Sequence, residues 1–222
     1  MGDQNQREWV LGYRNRLMGS ILEVGSKRYP NTNSFREEFI DHEYLGVDME
    51  EGSGVDRVID LSLPFDHVDR MLGGKRFGAI LFLSVMEHCR DPFTVAANLS
   101  RLMAPGGWIL LSAPFSWEFH GYPDDYWRFT ESGLRALFPD LVFEPAEYST
   151  AKEGERGRLA IPYPRVPLSW REGRREGRYG AGGVFWIRLA KALGLFSWLF
   201  GYPYLLPPTL INLAGRKPDP TK

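Results

Sequence analysis

Gly25, Asp48, Asp60 and the run Ser84-Val85-Met86-Glu87-His88 each follow a short apolar stretch. In an α/β protein those are the positions from which a ligand crevice is built. Glycine has no Cβ, so at Gly25 a ligand can lie close to the backbone in a tight strand-to-helix turn. Asp48 comes 23 residues later, a spacing at which a carboxylate can accept hydrogen bonds from both ribose hydroxyls of a nucleoside. Asp60 is placed to approach an adenine amino group. Alone, each residue also fits a plain turn or a helix cap; their joint occurrence after three successive strands points to a nucleoside site.

A second dense stretch, residues 114–129, holds His120, Tyr122, Asp124, Asp125, Tyr126 and Arg128 within nine positions. It offers a base, an acceptor-binding carboxylate and a lid that excludes water. Histidine titrates near neutrality, so His120 and His88 are the candidate proton acceptors, with Asp124 or Asp125 the candidate for binding sugar hydroxyls. Other readings stay open. Trp127, Arg128 and Phe129 also suit packing, His120 a satisfied loop position, and His88 the orientation of a loop. Cys89 is the single cysteine; it excludes an intramolecular disulfide and reads as a small buried hydrophobe. No metal ligands are assigned.

The elements that must position these residues alternate along the chain. Apolar runs at 20–24, 44–47, 58–61, 77–85, 108–113 and 141–148 read as strands. Helical spacing is read at 6–18, 34–40, 65–72, 92–103 and 130–138, with Pro92 in a first turn and Thr130 as an N-cap. Strands and helices in this order predict a doubly wound α/β sheet, mostly parallel. The crevice then lies at the carboxyl ends of the strands, where strand order reverses.

Five segments carry a resemblance: ILEVGS at 21–26, YLGVDM at 44–49, VIDL at 58–61, LSVMEHCRDP at 83–92 and LMAPGG at 102–107. In this order and spacing they resemble the motifs of class I S-adenosylmethionine-dependent methyltransferases, over residues 20–150. The resemblance implies a Rossmann-like sheet with an antiparallel last strand, and S-adenosyl-L-methionine as cofactor. It implies that Glu23, Gly25 and Ser26 frame the methionine moiety and that Asp48 and Met49 take the ribose. Asp60 with Leu61 would lie along the adenine, while Ser84, Val85 and His88 would line the crevice floor. The family commonly has a second glycine two residues after the first, whereas Ser26-Lys27-Arg28 follows Gly25 here. That departure also weakens a nicotinamide or flavin dinucleotide, whose pyrophosphate needs G-x-G-x-x-G at a helix N-terminus. Lys27 and Arg28 read as solvent-facing.

Residues 120–130, HGYPDDYWRFT, are similar to a stretch in methyltransferase-like proteins associated with surface polysaccharide synthesis. The acceptor implied is a small molecule, above all a hydroxyl of a glycan or lipid-linked glycan precursor. A noncatalytic S-adenosylmethionine-binding or scaffolding protein in polysaccharide assembly is the alternative. The net charge of −1 gives no reason to expect nucleic acid. The opening MGDQNQREW lacks the apolar core of a secretory signal, so the cytoplasm, with a peripheral contact to the inner membrane face, is the expected location.

Length and composition predict a single domain over 1–222. A strand near 209–215 suits the antiparallel last position and makes 151–206 an insertion between the sixth and seventh strands. Residues 152–178 carry eight Lys/Arg against four Asp/Glu. A helix over 184–200 bears apolar groups on nearly every side and must be covered: by the domain core, by a second copy, or by a membrane surface through 184–206. Residues 192–214 are uncharged, yet Pro203, Pro207 and Pro208 argue against a simple transmembrane span.

Overall fold

The computed structural model describes residues 4–29, 34–121, 124–168, 170–175, 177, 180–195 and 204–221. In chain order the strands of the main sheet are β1 (Ile21–Val24), β2 (Tyr44–Asp48), β3 (Arg57–Val58), β4 (Phe77–Leu83), β5 (Met103–Ser116), β6 (Val142–Phe143), β7 (Glu147–Thr150), β8 (Arg156–Arg158) and β11 (Thr209–Arg216). Around them lie α1 (Gln4–Gly12), α2 (Phe65–Met71), α3 (Pro92–Leu102) and α4 (Glu131–Leu137). The remaining elements, β9 (Val166–Pro167), α5 (Trp170–Arg175), α6 (Ala181–Ala192) and β10 (Tyr204–Leu205), belong to a second compact unit, Ala160–Pro207.

The main sheet runs in the order β3-β2-β1-β4-β5-β11-β7-β8, with β6 also paired to β11. β3, β2, β1, β4 and β5 are mutually parallel, and β11 lies antiparallel between β5 and β7. β1 has β2 on one side and β4 on the other, so strand order reverses there and the crevice opens at the carboxyl ends of β1, β2 and β4. β4 is a nearly unbroken apolar run, FGAILFL, because both faces of a central parallel strand are covered. On one face Trp9, Val10, Tyr13 and Leu17 join Phe35 and Phe39 over Ile21, Ala79, Leu81, Leu110 and Ala214. α3 packs against β5 and is started as its sequence dictates: Asp91 accepts from the Thr94 N–H (3.1 Å) and Pro92 occupies the first turn. Thr130 caps α4 by accepting from the Gly133 N–H.

Several boundaries differ from the sequence reading, each for a local reason. Residues 34–42 form turns instead of a helix: Phe35 and Phe39 are buried anchors, but Ile40 is 78% exposed and gives no third apolar position. The 6–18 helix stops at Gly12 and continues as a 3-10 turn, Arg14–Arg16. β3 ends at Val58, and the Asp60 carboxylate then accepts from the Ser62 N–H and hydroxyl, turning the chain. The expected 141–148 strand is two strands, β6 and β7, separated at Pro145, which has no N–H for a ladder. β8 pairs with β7, so residues 151–159 lie with the main sheet.

In the second unit β9 and β10 pair antiparallel. α6 ends at Ala192, just before Gly194 (φ 68°), and so is shorter than the 184–200 helix read from sequence. Phe196, Trp198, Leu199 and Phe200, with Tyr122 of the loop, fall outside the described residues. Phe185 (60%), Trp186 (66%), Leu193 (63%) and Leu195 (50%) are exposed, so α6 is not buried in the core along these positions. Among the described residues no helix is long and apolar enough to cross a membrane.

Candidate active site

The crevice wall begins where β1 ends. Gly25 takes φ 75°, a conformation that disfavours a Cβ, and lies against Val85. The N–H groups of Gly25 and Ser26 both donate to Val47 O (2.9 and 3.1 Å), that of Lys27 to Asp48 Oδ2 (3.1 Å) and that of Arg28 to Ser53 O (2.8 Å). Four consecutive amides are thereby engaged inside the protein, and no helix follows them among the described residues before β2. A pyrophosphate needs free amides at a helix N-terminus. This loop is therefore unsuited to a dinucleotide, while S-adenosylmethionine, which carries no phosphate, meets no such lack. Asp48 Oδ1 accepts from Glu50 N–H (3.1 Å), so each carboxylate oxygen has one protein partner and a second lone pair for a ribose hydroxyl.

The other residues singled out in sequence divide into two groups. Asp60 stands just beyond β3, close enough to Cys89 to act on the thiol electrostatically, and burial with these carboxylates pushes that thiol up to about 12. Leu61 is buried and its carbonyl accepts from Asn98 Nδ2 (2.8 Å), fixing the segment on α3. Met49 is 63% exposed at the rim. Ser26 turns its hydroxyl toward Gly46, buried and without a hydrogen-bond partner. Glu23 sits within β1 beside Tyr44 rather than at the strand end. Burial raises its carboxyl to about 7, against the opposing pull of the Tyr44 hydroxyl, Arg36 and Arg28.

Ser84 follows β4 with φ 53°, the one described non-glycine residue at positive φ. Such a conformation persists only when its surroundings over-determine it. Its N–H donates to Ser112 O (2.8 Å), and Gln6 Nε2 donates to both Ser84 Oγ (3.0 Å) and Ser112 Oγ (2.9 Å). The chain continues from Ser112 Oγ to Asn212 Oδ1 and from Asn212 Nδ2 to Ser149 Oγ. α1, β4, β5, β11 and β7 thus jointly hold the crevice floor.

From there residues 84–90 are stitched to the loop after β5. Tyr126 N–H donates to Glu87 O (2.8 Å) and Trp127 Nε1 to Cys89 O (2.8 Å). His88 Nδ1 lies 2.5 Å from Asp124 O, and since a carbonyl can only accept, Nδ1 carries the proton and Nε2 keeps its lone pair. His120 Nδ1 is bound in the same way to Glu118 O (3.1 Å) and stands 3.3 Å from Asp125 Oδ2. The two imidazoles meet edge to face, centroids 5.0 Å apart. Burial lowers the His88 pKa, so the ring is neutral at physiological pH. The Asp124 carboxylate itself accepts from the Tyr126 hydroxyl (2.8 Å) and faces solvent, away from a proton-transfer role.

Two residues here have burial and partners that the sequence reading did not assign to them. Asp125 has a side chain 1% exposed; it grips Arg128 through both oxygens and accepts from His120 N–H (3.0 Å), and the Arg128 guanidinium holds its carboxyl far below the usual range. Glu87 is buried, its Oε2 has no hydrogen-bond partner, and burial pushes its carboxyl up to about 8. The signal for Glu87 was its adjacency to His88; nothing in sequence said that it points inward.

A family described as "Methyltransferase domain" matches residues 6–145. No curated protein matches. Among solved structures, 1,6-didemethyltoxoflavin-N1-methyltransferase of Burkholderia thailandensis, with its substrate and S-adenosylhomocysteine bound, superposes with a TM-score of 0.55 at 15% identity, covering 98% of this chain and 80% of that one. The YcgJ protein of Bacillus subtilis gives 0.52 at 12% identity, over 97% and 99%. The N-methyltransferase NodS of Bradyrhizobium japonicum, with S-adenosyl-L-homocysteine, gives 0.50 at 11%, over 97% and 88%. At these identities the likeness is one of fold.

Proposed function

This chain belongs to the methyltransferase-domain family, and on that premise we propose that it methylates a hydroxyl of a small molecule of the glycan or glycolipid-precursor class. S-adenosylmethionine supplies a methyl group already activated by its sulfonium, so what this chain's residues must do is position the acceptor, exclude water and manage one proton. The observation that carries the hydroxyl reading is the histidine pair. An amine attacks with its own lone pair, whereas a hydroxyl must lose a proton. His88 and His120 each bind a backbone carbonyl through Nδ1, which leaves Nε2 as the nitrogen of either ring that could take the proton. Exposed Tyr126 and Trp127, with the Asp124 carboxylate, supply the aromatic and acidic surface that a sugar ring uses.

In this reading Asp48 holds the ribose, Gly25 and Val85 bound the methionine end, Asp60 and Met49 flank the nucleoside, and Ser84 fixes the floor. Asp48→Ala is expected to weaken S-adenosylmethionine binding by about 1.5–3 kcal/mol, the scale of hydrogen bonds to a charged group. Calorimetry on a folded variant, with NAD as the negative control for the wild type, measures it; unchanged affinity would move the ribose elsewhere.

The acceptor class is tested by incubating the protein and labelled S-adenosylmethionine with fractionated cell extract. Label in carbohydrate or lipid-linked carbohydrate is the expected result, lost in His88→Ala or His120→Ala while cofactor affinity holds. Label confined to amines would overturn the hydroxyl, and no label despite cofactor binding would favour the noncatalytic scaffold. Exposed Phe185 and Trp186, which follow a basic stretch, suit an acceptor presented at an anionic membrane or a second copy of the chain. Cosedimentation with anionic vesicles and light scattering separate these; a monomer that ignores vesicles sinks both.

A further inference from the structure

We propose that Glu87, His88 and His120 together bind one divalent cation of the zinc class at the crevice floor. One donor atom from each of the three lies within 4.8 Å of the others. Ligands on a tetrahedral zinc, at about 2.0–2.2 Å from the metal, stand roughly 3.4 Å apart. The site therefore closes by about an ångström, within reach of a side-chain rotation of His120, whose ring is 38% exposed on its loop.

Two independent features point to an ion. Glu87 is a carboxyl group with 1% of its side chain exposed and with Oε2 lacking any hydrogen-bond partner. A buried carboxyl is retained where it is paired or coordinates a metal, and here the other oxygen, Oε1, stands 4.0 Å from His88 Nε2, beyond hydrogen-bond reach. Second, both histidines are anchored through Nδ1 to backbone carbonyls, Asp124 O and Glu118 O, which is the outer arrangement that orients metal-ligating imidazoles. His120 has in addition the Asp125 carboxylate 3.3 Å from Nδ1, completing a carboxylate–histidine relay toward the site. These anchors leave Nε2 of each ring as the nitrogen that can coordinate.

Two imidazoles and one carboxylate select zinc, cobalt or ferrous iron over magnesium or calcium, which require mainly oxygen ligands. Three protein ligands leave at least one coordination position open, as catalytic zinc sites do. What fills it rests on the hydroxyl acceptor proposed above. With the ion bound, Nε2 of both rings is occupied, so the ion takes over from the histidines the task of easing loss of the hydroxyl proton: the acceptor oxygen would coordinate the ion and release its proton to solvent water; the oxygen lone pair then forms the O–C bond while the C–S bond breaks and its electrons return to sulfur, leaving S-adenosylhomocysteine and the methyl ether.

The test uses the full chain, free of any histidine tag, stripped with chelator and dialysed, with no S-adenosylmethionine present. Titration with zinc by calorimetry, and with cobalt(II) by visible absorption, should show one equivalent bound with the strong bands of a low-symmetry tetrahedral or five-coordinate site. Glu87→Gln, His88→Ala and His120→Ala should each lower affinity tenfold or more. Thermal melting checks each variant, and His120→Gln, on an exposed loop, serves if the buried substitutions unfold the protein. No stoichiometric binding to wild type, or binding that survives all three substitutions, overturns the site. Methyl transfer by stripped protein that zinc does not accelerate overturns the coordinated-acceptor step alone. A bound cation without methyl transfer to any hydroxyl fails the acceptor reading and leaves the site standing.

Discussion

Gly25→Ala is expected to destabilise the protein by about 2–5 kcal/mol and to abolish the crevice geometry. Two costs act at one atom. An alanine at φ 75° sits in the left-handed region, at about 1–2 kcal/mol. Its Cβ would fall 2.4 Å from Val85 Cγ2, and overpacking of this kind costs about 1–3 kcal/mol. Val85 cannot swing aside cheaply, because a β-branched side chain is stiff at χ1. Removing the obstructing methyl tests the attribution. In a double-mutant cycle, Val85→Ala should recover the packing part of the loss while leaving the backbone part. Denaturant unfolding measures it; a Gly25→Ala protein as stable as wild type, or a cycle with no coupling, would show that the loop relaxes freely.

Glu23→Gln is expected to make the protein more stable than wild type at pH 8, by roughly 3 kcal/mol, and to leave it nearly unchanged at about pH 4. The folded carboxyl titrates at about 7 because burial within β1 disfavours its charge, against a model value of 4.5. Between these two values the unfolded chain releases its proton while the folded chain keeps it. Wild-type stability therefore falls as pH rises from 4.5 to 7, and the loss is complete above 7. Glutamine, isosteric with the protonated acid, has no such penalty. The difference between the two unfolding curves across pH isolates Glu23 from Glu87, which carries a shift of the same direction. A difference that does not change with pH would mean that Glu23 reaches solvent.

Much of this was legible in the chain itself. β1, β2 and β4 were readable because they are short apolar runs stopped by residues with a reason to stop, and the caps at Asp91-Pro92 and Thr130 are local chemistry. The antiparallel strand Thr209–Arg216 stood out as an uncharged run ended by Arg216. Lost were features that depend on a partner far along the chain. Phe35 and Phe39 look helical by spacing but are buried as two anchors of a turn. Glu23 entered as a cofactor residue by resemblance alone, and its burial on the face with Ile21 and Tyr44 became visible only with the strand's partners in place. The histidines were identified, but the hydrogen bond that fixes His88 was not, because its carbonyl lies 36 positions away. The burial of Glu87 and Asp125 was unreadable for the same reason: burial of an acid is a tertiary fact.

The place of β11 in the sheet bears on how the domain is made. It is the last of the main-sheet strands in chain order, yet it lies between β5 and β7, with every residue except Arg216 buried. On a ribosome, β1 to β5 can assemble as soon as they emerge, but β5 then keeps an open edge through the synthesis of some ninety further residues, including the whole of the second unit. An unpaired edge of that length is a template for joining another nascent chain. The sheet is completed only when Thr209–Arg216 joins β5 to β7, a non-local pairing of the kind that slows folding.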